Sequence, residues 1–274
     1  MSYDLTYISF GGGVQSTALL AMSCLGLSGV PKADVAVFAD TGAEPDGVYA
    51  HVAAMTIWSA AHGVEVVTVR RGNLERVLVG EESSRGDGFI VSIPAFTGGN
   101  SNGMLWRQCT SEFKINPILS EVRRRLGLKA RQRAAGKFTV LGMIGISVDE
   151  FLRAKPSMES WIEHRWPLID LHMNRNDCVK LCADLALPSQ PQRSACVFCP
   201  FHSDGEWQRM KDQDPDSFAR AVTVDDAIRD LTRAGVKNPV YLHRKRIPLV
   251  DIDFHPSADL FGQWDNECEG VCGV

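Results

Sequence analysis

The chain has 274 residues, 45% apolar and 23% charged, with 29 Lys and Arg against 33 Asp and Glu and a formal net charge of −4. That balance excludes disordered and collagen-like classes, and the longest apolar run, Phe138 to Ile146, falls well short of the roughly 20 residues a membrane helix needs. At about 150 residues per domain the length suits an α/β domain over 1–166, with a cysteine-rich, mostly helical segment over 167–274 packed on it. Met1-Ser2-Tyr3-Asp4 offers no basic region ahead of an apolar run, so the expectation is a cytoplasmic protein. In that reducing setting the eight cysteines serve as ligands or reactive thiols, not as a disulfide framework.

Apolar, β-branched segments at Leu5 to Phe10, Val35 to Ala39 and Val64 to Val69 alternate with helical patterns at Val14 to Leu27 and Val48 to His62. A fourth strand is expected at Phe138 to Ile144. This alternation predicts a doubly wound, Rossmann-like parallel sheet whose ligands sit at the carboxyl ends of the strands. From Gly80 to Gly103 the chain is rich in Gly, Ser and Asn, which suits a mobile loop or an active-site lid. Short helices are expected at Asn176 to Leu185 and Pro215 to Ala234.

The run Ser9-Phe10-Gly11-Gly12-Gly13-Val14-Gln15-Ser16-Thr17 lies where the first strand hands over to the first helix. Bare amides and the helix dipole favour anions there, glycines permit close approach, and Ser16 and Thr17 add hydroxyls. The same pattern also describes a tight turn. Cys196-Val-Phe-Cys199 is a C-x-x-C turn able to present two thiolates to one metal or cluster. Cys178 and Cys182, four apart in a predicted helix, share a face that could approach it. Two cysteine pairs thirteen residues apart suit a structural zinc site as well as an iron–sulfur cluster, and the spacing leaves both open. Cys24 is expected in the core, and His202, three residues beyond Cys199, is a candidate metal neighbour.

Ser9-x-Gly-Gly-Gly-x-x-Ser16 resembles the S-x-G-G-x-D-S pyrophosphate loop (PP-loop) of the adenine nucleotide α-hydrolase superfamily, with Gln15 where that pattern usually has Asp. Asp40-Thr41-Gly42 resembles the D-T-G element of the phosphoadenosine phosphosulfate reductase-like family. Cys109-Thr-Ser-Glu-Phe-Lys114-Ile-Asn-Pro117-Ile resembles its C-C-x-x-R-K-x-x-P-L segment with one cysteine of the pair. Gly145-Ile-Ser-Val-Asp149-Glu150-Phe-Leu-Arg153 resembles its G-x-R-x-x-Q-S-x-x-R segment. The matches run in order over about residues 5 to 200.

This resemblance implies an ATP or adenylyl sulfate-type nucleotide held by Ser9, Gly11, Gly12, Gly13, Gln15, Ser16, Thr17, Asp40, Gly145, Asp149 and Arg153, with Mg2+ a further candidate. It favours iron over zinc, as a 4Fe-4S cluster on Cys109, Cys178, Cys196 and Cys199, with Cys182 or an open iron as substitutes for Cys178. Asp40 and Lys114 are expected at the reacting centre. The tail, Glu267-Cys268-Glu-Gly-Val-Cys272-Gly, distantly resembles the E-C-G-x-H terminus of the reductases, which implies a nucleophilic or persulfide-carrying Cys268 or Cys272.

The function expected is nucleotide-dependent sulfur chemistry, in which ATP adenylates an acceptor that then receives sulfur from a donor or thiol reductant. The alternative within the family is a sulfonucleotide reductase releasing sulfite. An alternative of another class is a non-catalytic nucleotide-binding module with a redox-sensing cluster. Eight basic residues between Leu105 and Arg133, opposed only by Glu112 and Glu121, read either as a solvated helix face or as a surface for a polyanion, so nucleic acid is a candidate partner.

Overall fold

The computed structural model describes residues 2–83, 93–99, 103–232 and 235–254. Five parallel strands form the main sheet: β1 (Leu5–Ser9), β2 (Val35–Asp40), β3 (Glu65–Arg70), β6 (Val140–Ile144) and β7 (Ile162–Arg165), in the order β3-β2-β1-β6-β7. Every residue of β2 and β6 is buried, as continuous apolar runs in a parallel sheet covered on both faces should be. The chain reverses its direction of growth between β1 and β6, and a crevice for ligands forms outside the carboxyl ends at such a point.

Alternation along the strands separates two cores. Ile8, Phe10, Ala36, Phe38, Leu141 and Met143 point to one face, which is covered by α1 (Val14–Leu25), α2 (Asp46–Ala61), α6 (Pro167–Asp170) and α7 (Arg175–Asp184). Leu5, Tyr7, Val35, Val37, Ala39 and Val140 point to the other, which is covered by α5 (Asn116–Arg125). Helix α1 is buried from Val14 through Cys24, so it lies inside the molecule as a helix apolar all round does. Asn174 and Asp177 form a capping box that starts α7.

A further core gathers α3 (Leu74–Leu78), the short strand β8 (Val240–Tyr241) and the helices α8 (Asp204–Gln213) and α9 (Pro215–Ala227), with β4 (Phe96–Thr97) paired to β8 and β5 (Gly103–Met104) paired to β4. Its centre is the fully buried Trp207, packed with Phe218 and Phe254. Ala43 and residues between 74 and 113 contribute to it together with residues between 197 and 254, while residues between 48 and 66 and between 168 and 187 belong to the first face of the sheet. The cores therefore interleave along the chain across position 167. Helix α4 (Gln108–Thr110) runs through a π-helical stretch, Ser111–Ile115, into α5. No helix among the described residues is long and apolar enough to cross a membrane.

Candidate functional site

The glycine loop occupies the carboxyl end of β1 beside that of β6. Gly12 has φ +76°, and a Cβ there would lie 2.9 Å from Val52 Cγ2, so backbone conformation and space both require glycine. Ser16 closes the turn: its hydroxyl accepts from Gly11 N at 3.2 Å and donates to Gly13 O at 3.2 Å. Gly13 caps α1 without a side-chain bond to the first-turn amides. Ser9, Gln15, Ser16 and Thr17 are all buried.

The segment after β6 packs directly on this loop. A Cβ on Gly145 would lie 2.8 Å from Ser16 N and Cα. Gln15, at the position usually acidic in the resembling loop, donates from Nε2 to Glu150 Oε2 at 3.1 Å and to Ser147 Oγ at 3.4 Å, and its Oε1 is buried with no hydrogen-bond partner among the described residues. Arg153 pairs with Glu150. The exposed Asp149 accepts from the first amide of α7, Arg175 N, at 3.3 Å. The structure thus brings Gln15, Gly145 and the Glu150–Arg153 pair together, while Asp149 serves the start of α7.

His51 was not singled out by the sequence. Its Nε2 lies 2.9 Å from Thr17 Oγ1 and its Nδ1 2.6 Å from Ser189 Oγ. Burial lowers its pKa to about 4, so the ring is neutral at neutral pH and uses both nitrogens to tie α1, α2 and the connection following α7. The available signal was its place one turn beyond Val48 on the buried face of α2.

The loop after β2 joins the glycine-loop side to the cysteines. Asp40 accepts from Gly42 N at 2.7 Å, Tyr49 Oη at 2.9 Å and Arg70 Nε at 2.8 Å. Its carboxylate therefore already accepts from three residues in this structure. Thr41 Oγ1 lies 3.4 Å from Cys196 Sγ, and Val197 N donates to Ala43 O at 2.8 Å. Glu44, 1% exposed, receives Ser194 Oγ at 3.1 Å and faces Lys114 Nζ at 3.4 Å. A buried ion pair of this kind needs such additional bonds to offset its desolvation. Sequence reasoning missed Glu44 because an acid four residues beyond Asp40 reads as loop polarity until its buried cation is located.

Cys109, Cys196 and Cys199 line one small cavity of about 30 Å³, together with Thr41, Arg107 and Lys114. Cys199 N donates to Cys196 O at 2.8 Å, closing the C-x-x-C turn. His202 braces it, with its backbone N bonded to Cys199 O at 3.1 Å and its Nε2 to Cys196 O at 3.0 Å. Burial, and then Arg193, depress the His202 pKa to about 3, so the neutral ring donates to the carbonyl from Nε2. Burial, and then the nearby Glu44, raise the Cys196 thiol well above its ordinary range, with Lys114 opposing. Metal binding at Cys196 would release its proton.

Cys178 departs from expectation. It is fully buried on α7 in the core beneath the first face of the sheet, as is Cys182, whose Sγ lies 3.9 Å from Val14 O. Cys109 and Cys196 instead pack against the core around Trp207. The four-residue spacing does place Cys178 and Cys182 on one helix face, but α1 covers that face, so the expected fourth ligand is not brought to the other three. Cys24 lies in the same core as Cys178, its thiol raised to about 11 chiefly by burial. Cys268 and Cys272 lie outside the described residues. Among the described residues no group of three or more His, Cys, Asp and Glu is arranged to hold a metal ion. The three thiols nevertheless share one cavity wall, a donor set suited to a cluster, in which each thiolate binds a different iron.

Comparison with family models, curated proteins and solved structures gives no match to this chain.

Proposed function

We propose that this chain binds an adenine nucleotide at residues 9–17 and performs sulfur chemistry beside an iron–sulfur cluster held by Cys109, Cys196 and Cys199. The observation that carries this reading is the loop Asp40–Glu44, which begins at a strand carboxyl end next to the glycine loop and touches Cys196, Val197, Ser194 and Lys114. A nucleotide on the one side and thiolates on the other would be held by adjoining backbone.

The chain's own contributions follow from this layout. Loop amides and the amino end of α1 donate to phosphate oxygens. Lys114 and Arg107 offset the negative charge of thiolates or of an anionic sulfur group in the cavity, and the apolar walls, Leu74, Ile93 and Phe198 among them, exclude water. The cluster, when bound, supplies electrons or an iron site for sulfur. In the ATP-dependent form of the reaction an acceptor oxygen attacks the α-phosphorus, pyrophosphate leaves, and sulfide then displaces AMP; a persulfide donor displaces AMP to leave a disulfide between carrier and acceptor, which a second thiol cleaves by exchange. Cys268 or Cys272 is a candidate carrier of that sulfur. The two cations at the thiol cavity also favour a second reading, reduction of adenylyl sulfate or its 3′-phosphorylated form with release of sulfite.

The test begins with iron, acid-labile sulfide and zinc per chain on protein purified without oxygen. Iron and sulfide in equal amounts support the cluster, whereas one zinc and no visible absorption overturn it. Pyrophosphate release from ATP and sulfite release from the sulfonucleotides then separate the two reactions, with Ser16→Ala as the loop control. Nucleotide binding without either product leaves the non-catalytic redox module as the surviving reading.

A further inference from the structure

The segments that build the thiol cavity continue into a second, larger opening. A groove of about 460 Å³ lies between the carboxyl end of β3 and the first turns of α5, with Arg70, Arg71, Asn116, Ser120, Glu121 and Arg124 in its walls. Each arginine is held by a carboxylate set behind it. Arg70 donates from Nε and Nη2 to Asp40, Arg71 Nη1 lies 2.6 Å from Glu112 Oε2, and Arg124 donates from Nε and Nη2 to Glu121 at 2.7 Å.

Exposure separates the two signs of charge. The arginine side chains are 52%, 29% and 68% exposed, and their acidic partners 9%, 11% and 8%. Glu121, the one acid in the groove wall, is met by Arg125 as well as Arg124. The guanidiniums are therefore the more exposed charges at the groove, with Asp40 and Glu112 outside its walls and Glu121 reaching them beneath two arginines. Guanidiniums held along one edge keep their remaining N–H donors in fixed directions, which is the preorganisation that phosphate oxygens select. Among the described residues the walls carry no aromatic ring to stack a base.

We propose that this groove binds the phosphodiester backbone of a nucleic acid strand, by charge and spacing and not by base identity. Asp40, expected from the sequence to position a nucleotide or a metal, acts in this proposal as the buttress of Arg70. The groove adjoins the thiol cavity through covalent neighbours: Thr41 follows Asp40, and Lys114 precedes Asn116 by two residues. A strand lying in it would pass along the segments that carry Cys109 and Lys114. Binding requires neither nucleotide nor cluster, so the proposal stands or falls separately from the sulfur chemistry.

The experiment is fluorescence anisotropy of a labelled single strand of about 12 nucleotides with the full chain, titrated between about 50 and 200 mM salt. Three phosphate contacts predict a slope of log affinity on log salt of about −2. Arg124→Gln, a change at an exposed side chain, should weaken binding about three- to tenfold and reduce the slope by about 0.7. Arg70→Lys, which keeps a cation for Asp40 but loses the fork, should act in the same direction. Arg131→Gln, outside the groove, should leave binding unchanged. Absence of binding at low salt, equal binding by the Arg124 and Arg70 variants, or equal losses at Arg131 would overturn the proposal. Complete displacement of the strand by an equal concentration of pyrophosphate would also overturn it, by assigning the groove to a small phosphorylated ligand.

Discussion

The glycine loop and the thiol cavity are made in opposite ways. The loop is nearly self-contained: Gly11 to Ser16 close on one another, and a Cβ at Gly12 or at the adjoining Gly145 would come within 3 Å of Val52 Cγ2 or of the Ser16 backbone, respectively. The cavity is assembled from residues near 41, 109 and 196, joined by side-chain bonds of 3.1 to 3.4 Å around one buried ion pair. Local geometry therefore governs the first and electrostatics the second, and substitutions should separate them.

The largest effect is expected in the cavity. Lys114→Met leaves Glu44 buried without its cation and should cost about 3–5 kcal/mol, the range for breaking one partner of a buried pair. Urea unfolding would read this as a lower midpoint with unchanged slope, and a loss below 1 kcal/mol would mean that the pair does not stabilise the fold. Gly145→Ala should cost about 1–3 kcal/mol, because the new methyl meets Ser16 backbone that cannot yield cheaply. If the same variant also lost nucleotide affinity, the loop's conformation and its binding would share one constraint.

Acid should act through His51. Its folded pKa, about 4, lies below the ordinary value near 6.5, so the unfolded chain binds the proton more readily. The resulting stability is complete above about pH 6.5 and is lost as pH falls from there towards 4. His51→Gln should reduce the slope of that part of the stability profile and leave the share that His202, held at about 3, contributes over the same range; an unchanged profile would assign the acid response to His202 or another group. The smallest effect is expected at Arg124→Gln, whose guanidinium lies in solvent where its pairing with Glu121 is screened, so a thermal scan should barely distinguish it from the parent chain.

The same contrast governs what the amino-acid order revealed. Strands β1, β2, β3 and β6, helices α1 and α2, and the glycine loop were legible because their signals lie within about ten residues of one another. Strand β7, Ile-Glu-His-Arg, was not expected: it is a short edge strand paired only with β6, and charged side chains at an edge hide the apolar pattern. Two-residue strands such as β4 and β8 carry no periodicity to read. The C-x-x-C turn was plain, but periodicity told only that Cys178 and Cys182 share a face and not which core that face meets. The basic block was half resolved. Arg123 binds the carbonyls of Lys129 and Gln132 and Arg125 binds Glu121 and Glu65, whereas Arg124 joins the groove.

The interleaving of the cores also sets an order of events during synthesis. Cys109 leaves the ribosome 87 residues before Cys196 (196 − 109), a delay of roughly 4–17 s at translation rates of about 5–20 residues per second. Strands β1 to β7 and helix α7 all emerge within that interval or earlier, so the parallel sheet can close while Cys109 still awaits its neighbours. The residues that complete the core around Trp207 arrive last, up to Phe254. The cavity that the three thiols line is therefore completed after the segments of the parallel sheet have been made.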